Sequence, residues 1–146
     1  MFIKKTLTLL LALFLAIPSF SQDKDGVVAK WLNASGDGQI MIYKKGDKYV
    51  GRLVWLKEPY DEDGKPKKDS KNPNATLKSR PLLGTEILKD FVYLGDGIWD
   101  QGFIYDPKTG KTYSSKMTMI NNNRLSIRGY VGISLLGRTE IWQRVQ

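Results

Sequence analysis

Alternation of apolar and polar positions makes most of this chain read as strand. Residues 27–33 lead into the turn cluster Ser35-Gly36-Asp37-Gly38, and residues 39–44 and 49–56 flank Lys45-Gly46-Asp47 as a hairpin. The device recurs in the second half. Residues 98–105 and 112–120 are joined by Asp106-Pro107-Lys108-Thr109-Gly110, where Pro and Gly take up turn dihedrals without steric cost. Asn121-Asn122-Asn123 turns the chain into residues 124–131, and residues 132–137 return it as 138–145. Closely spaced strands with no helix between them predict an antiparallel meander, and a meander of this size closes into a barrel.

Two neighbouring segments break the pattern. Residues 57–78 are rich in charge, Pro and Asn and have no period, and a loop of that length is either functional or disordered. In residues 80–89, Pro81 suits a first helical position and Leu83, Ile87 and Leu88 form an apolar stripe. The expected fold is therefore all-β: a single antiparallel up-and-down β-barrel over residues 22–146, with one short helix capping an end.

The first residues add an address. Lys4 and Lys5 precede an apolar run over residues 7–17 broken only by Thr8, and Ser19 and Ser21 stand just before Gln22. The run is shorter than the roughly 20 residues of a membrane span, and the small residues suit a cleavage pocket, so residues 1–21 read as a signal peptide cut after Ser21. Export to the periplasm or the medium is expected, with no transmembrane segment in the mature chain. Loss of Lys4 and Lys5 lowers the formal charge from +8 to +6. A basic exported domain is drawn to anionic lipid, polysaccharide or small acidic ligands, and nucleic acid is not expected as a partner.

Composition then narrows the chemistry. The chain has no Cys and no His, which excludes a thiol nucleophile, a Ser-His-Asp triad, a Cys/His zinc site and a lipidated N-terminal Cys. No cofactor or metal is expected. Any catalysis falls to carboxylates, Lys, Tyr or Ser, and any metal would be a hard one held by oxygen.

The densest constellation is Arg128-Gly129-Tyr130 followed by Arg138-Thr139-Glu140. With a turn centred near Ile133, Arg128 and Arg138 come almost opposite each other. Two guanidiniums and a phenol on one face would fork a carboxylate or phosphate, and Gly129 would let a group approach the backbone. The competing reading is a solvated outer face on which Glu140 offsets its neighbours. Alternation groups Leu125, Ile127, Gly129 and Val131 on one face and Arg138, Glu140, Trp142 and Arg144 on another, and leaves open which face points inward. Trp31 on the first strand and Arg144 on the last become neighbours in a closed barrel, where the guanidinium can lie on the indole and seal the base.

Other motifs fit weaker chemistry. Asp61-Glu62-Asp63-Gly64, with Asp69, Asn72 and Asn74, invites a calcium reading, but Lys65 stands where Asp or Asn is needed and Pro66 where Gly is needed. A solvated charged loop is expected instead. Ser114 and Lys116 share a strand face, yet nothing desolvates that lysine enough to make it a base.

Several ordered motifs are shared with a known family: Trp31, Tyr49-Val50-Gly51-Arg52-Leu53-Val54-Trp55-Leu56, Asp69 with Asn72-Pro73, and Arg80-Pro81-Leu82-Leu83-Gly84. Gly102-Phe103-Ile104-Tyr105-Asp106-Pro107, Gly110-Lys111-Thr112-Tyr113, Leu125, Arg128-Gly129-Tyr130, Leu136-Gly137-Arg138 and Trp142-Gln143-Arg144 follow. The chain resembles the exported bacterial family catalogued as domain of unknown function 2147. That resemblance implies a calycin-type, lipocalin-like barrel and brings no activity with it. It directs attention to Arg80, Arg128, Tyr130, Arg138, Trp142 and Arg144, which its motifs contain. Of these, Arg80, Arg128, Tyr130, Arg138 and Trp142 are the candidate ligand contacts, and Trp31, Arg144, Gly129 and Gly137 are expected to serve structure. Arg128-Gly129-Tyr130 is also similar to the Arg-x-Tyr carboxylate clamp of fatty-acid-binding barrels, which stands on their final strand, whereas here another strand follows.

Fold analogy to lipocalins gives the leading functional expectation, a noncatalytic envelope protein that binds a small apolar or amphipathic anionic ligand, with the 57–78 loop near the barrel mouth. An envelope hydrolase using Asp100, Asp106 or Glu140 is the second, and a surface or assembly protein using a basic outer face is the third.

Overall fold

The computed structural model describes residues 23–146; the expected signal peptide lies outside the described residues. Eight antiparallel strands close into one barrel in sequence order. They are β1 (Lys30–Leu32), β2 (Gly38–Lys45), β3 (Lys48–Leu56), β4 (Glu86–Gly95), β5 (Ile98–Asp106), β6 (Lys111–Asn121), β7 (Arg124–Tyr130) and β8 (Gly137–Arg144). Closure rests on β1 against β8, with Trp31 opposite Arg144 and Leu32 opposite Gln143. The meander expected from alternation is the one observed.

The expected capping helix over residues 80–89 is absent. Pro81 bridges Lys68 at the end of the long loop, and from Glu86 the chain is already β4. Among the described residues the helical element is a single 3-10 turn, Ala75–Leu77, capped by the Asn74 side chain. Ile87 and Leu88 are adjacent and both buried because β4 is covered on both faces, Leu88 by the barrel interior and Ile87 by the returning loop. Adjacent apolar positions of that kind look like a helical stripe in sequence.

A double irregularity further disguises β4. Between the pairs Lys89↔Phe103 and Val92↔Asp100, both strands carry a residue in the left-handed region, Asp90 at φ 62° and Gln101 at φ 64°. These kinks break the two-residue period, so Leu88 and Phe91, three apart, both reach the interior. Phe91 lies flat against Gly102, where an added Cβ would stand 2.5 Å from the ring, so only glycine fits there.

Large side chains fill the barrel: Trp31, Trp99, Trp142, Tyr49, Phe91 and Leu88 are all buried. Trp99 packs edge-on to Tyr49 and tilts against Tyr93, with centroids 6.2 and 4.9 Å apart. The N-terminal segment seals the end where these rings sit. Trp99 donates to the Lys24 carbonyl at 3.2 Å, Trp31 to the Val27 carbonyl at 2.9 Å, and Tyr49 to the Asp25 carboxylate at 2.7 Å. Burial and the Asp25 carboxylate push the Tyr49 phenol well above its ordinary pKa.

Candidate functional site

The loop between β3 and β4 is ordered, and it packs on the outer wall. Asp61 caps its own turn by accepting from the amides of Asp63 and Lys65, both at 2.9 Å, and Tyr60 bridges Pro66. The acidic cluster that suggested calcium is thus a self-capped turn. Among the described residues, no group of three acidic side chains is gathered to hold a metal ion.

The loop is fixed by one buried carboxylate. Asp69 accepts from Arg80 Nε at 2.9 Å and Arg80 Nη2 at 2.8 Å, from Asn72 Nδ2 at 2.8 Å, and from the Tyr105 hydroxyl on β5 at 2.5 Å. Burial alone would raise the Asp69 pKa; the three donors and the Arg80 charge outweigh it and hold the carboxyl below its ordinary value. The same contacts act oppositely on the phenol, where burial and the facing carboxylate push Tyr105 up to about 12. The cluster is therefore a charged clamp of loop to barrel. All of its carboxylate bonding is internal, so it is a poor candidate for proton-transfer work.

Beside the clamp lies an open groove of about 360 Å³, within the range of small-molecule sites. The loop contributes Asn72, Pro73, Leu77 and Arg80 to one wall. The outer faces of β4, β5 and β6 supply Glu86, Ile87, Lys89, Phe103, Tyr105 and Thr112. Phe103 is 42 % exposed and gives the floor an apolar surface. Asp69 is consumed by the clamp, and Glu86 is engaged by Lys45 at 3.6 Å and by the Tyr43 hydroxyl at 3.4 Å. Lys89 has no ion-pair partner among the described residues, so the groove offers an unspent cation next to an aromatic floor.

The residues singled out from sequence do not converge. Arg80 lies in the groove. Arg128 and Arg138 are separated by register: Arg128 pairs with Thr139 and Arg138 with Gly129, because the connection is six residues long and sets Tyr130 opposite Gly137. One residue of register reverses a side chain's face, so the expected fork of Arg128, Tyr130 and Arg138 does not form. Arg128 and Tyr130 point outward, with Arg128 donating to the Ser134 carbonyl at 2.6 Å and to Thr139 Oγ1 at 2.8 Å. Arg138 shares the inward parity of Gly129 at the rim, where its exposed guanidinium meets Glu140 at 3.0 Å.

Trp142 is buried opposite Leu125 in the packed interior. Gly137 presses on the Gly129 carbonyl, leaving no room for a Cβ. Arg144 stacks over Trp31 at 4.7 Å and also donates to the carbonyls of Gly26, at 2.8 Å, and Asn122, at 2.5 Å.

The three carboxylates considered for hydrolysis are scattered. Asp100 and Asp106 sit six residues apart on β5, roughly 20 Å at strand rise, while Glu140 is on β8. Asp106 is spent capping its turn through Lys108 and Thr109.

Sequence reasoning passed over Lys89, Phe103 and Tyr105 as site residues. The signal for Tyr105 and Asp69 was their place in shared motifs, but nothing local distinguishes a buried loop Asp from its solvated neighbours.

The closed eight-stranded barrel defines a lipocalin-like protein, and comparison with solved structures agrees. "Protein HP1028 from the human pathogen Helicobacter pylori", whose description places it in the lipocalin family, matches with a TM-score of 0.70 and 22% identity over 82% of this chain and 83% of that one. The chain belongs to the family described as "Uncharacterized protein conserved in bacteria (DUF2147)", whose model matches residues 29–144. No curated protein matches it.

Proposed function

We propose that this chain is a noncatalytic binding protein of the cell envelope whose ligand is a small amphipathic anion seated in the lateral groove of Arg80, Lys89 and Phe103. The observation that carries the reading is the contrast between a barrel interior filled by tryptophan, phenylalanine and methionine side chains and an open, partly apolar groove with an unspent cation on the outer wall. An alkyl or ring portion would cover Phe103, Ile87 and Leu77, and its anionic end would meet Lys89. Analogy with the lipocalin fold supports binding as the class of function. Export is part of the proposal, and N-terminal sequencing of protein recovered from the envelope or medium should begin at Gln22.

Isothermal titration of the protein with decanoate tests the site. Binding at one site is expected, and the double change Lys89→Glu, Phe103→Asp should weaken it about tenfold or more, since one lost charge contact and one lost apolar contact each amount to 1 kcal/mol or so. Absence of binding, or binding indifferent to both changes, overturns the reading.

A further inference from the structure

The connection between β7 and β8 is unlike every other turn among the described residues. Its residues 131–136 read Val-Gly-Ile-Ser-Leu-Leu, and Val131, Ile133, Leu135 and Leu136 are 58 to 83% exposed. Four neighbouring apolar side chains held in water at a convex tip are a standing free-energy cost that a soluble barrel has no structural reason to bear.

The tip is also internally bonded. Leu136 donates to the Ile133 carbonyl and Ile133 to the Val131 carbonyl, both at 3.0 Å, Val131 donates to the Leu136 carbonyl at 3.4 Å, and Arg128 covers the Ser134 carbonyl. Backbone groups satisfied in this way lower the penalty for leaving water, which is the main obstacle to putting a loop into lipid.

Below the tip, the outer wall is cationic. Lys116 and Arg128 stand directly opposite on β6 and β7, and the outward positions of β6, β7 and β8 carry no carboxylate. Like charges across a ladder repel unless an anion joins them. Tyr130, half-buried at the base of the tip, has the amphipathic character that favours the headgroup layer.

We infer that the β7–β8 tip inserts into the surface of an anionic bilayer, with Leu135 and Leu136 at acyl depth and Lys116 and Arg128 on the headgroups. A second copy of the chain suits the tip less well, because six residues are far short of the roughly 800 Å² per partner that a stable interface buries. The site is separate from the lateral groove, and neither reading depends on the other.

Vesicle flotation tests the inference, using the protein recovered in processed form, with phosphatidylglycerol/phosphatidylethanolamine vesicles against pure phosphatidylcholine vesicles. Flotation with the anionic vesicles alone is expected, reduced by salt. Leu135→Ser, Leu136→Ser should lower the bound fraction about tenfold, and Lys116→Glu should lower it on anionic vesicles. The replaced leucines are exposed, so the melting temperature of the serine variant should match the parent, and that measurement separates lost docking from lost folding. Equal flotation of parent and serine variant, no flotation of either, or a dimer in light scattering that the serine changes dissolve would each overturn the inference.

Discussion

The two ends of the barrel use polar chemistry in opposite ways. At the end sealed by the N-terminal segment, indole, phenol and guanidinium groups are turned on the protein itself: Trp31, Trp99, Tyr49 and Arg144 all find partners in residues 24–27. At the other end Lys108 reaches from the β5–β6 connection to Asp37 in the β1–β2 connection at 2.7 Å, an exposed strap across the mouth, and an apolar hairpin stands in water beside it. Burial makes the first set of contacts expensive to remove. Exposure leaves the second set cheap to rearrange, and recognition has room to evolve there.

Substitutions can break this comparison in a graded order. Trp99→Ala should have the largest effect, about 3–5 kcal/mol in urea denaturation, because it empties the interior and orphans the Lys24 carbonyl. Asp69→Asn should follow at about 2–3 kcal/mol, since Arg80 and Tyr105 lose a charged acceptor at a buried position. Arg144→Met should cost about 1–2 kcal/mol for the lost indole contact and carbonyl bonds. Lys108→Ala should cost no more than about 0.5 kcal/mol, because the pair it breaks is largely exposed. A strap as costly as the Arg144 contacts would refute the contrast between the ends.

The clamp also predicts a pH signature with a definite sign. Asp69 has a lowered pKa in the folded protein, so its contribution is complete at neutral pH and disappears as pH falls below about 4 towards its folded value. Tyr105, raised to about 12, contributes fully below pH of about 10 and loses that contribution as pH climbs through its folded value. Thermal melts across pH should therefore show both slopes flattened in Asp69→Asn. Phenol absorbance should show Tyr105 ionising at lower pH in that variant.

Much of the fold was legible because most strands alternate cleanly and end in Gly, Asn or Pro turns. Residues 39–44 and 112–120 lie within strands whose buried residues follow a two-residue period, and in residues 49–56 the run Tyr49-Val50-Gly51 is buried throughout before alternation resumes at Arg52 and Leu53. Strand β4 was not legible: Asp90 breaks the period, and a loop covers the outer face, which erases the polar half of the pattern. The site was less legible still. Lys89 and Phe103 face each other across the ladder between β4 and β5, a juxtaposition that depends on register, and register through a double kink is not written in spacing. The same sensitivity separated Arg128 from Arg138. Trp31 and Arg144 come together because they belong to the terminal strands, whose pairing follows from closure alone.

The seam between β1 and β8 has a consequence for how the molecule is made. Its partners lie at opposite ends of the chain, and the first strand is only three residues long. A polypeptide still lacking residues 137–144 has no neighbour for the free edge of β7, none for β1, and nothing to lie over Trp31. Such an unfinished barrel is an open sheet with two sticky borders, so synthesis passes through its most aggregation-prone moment just before the last strand arrives.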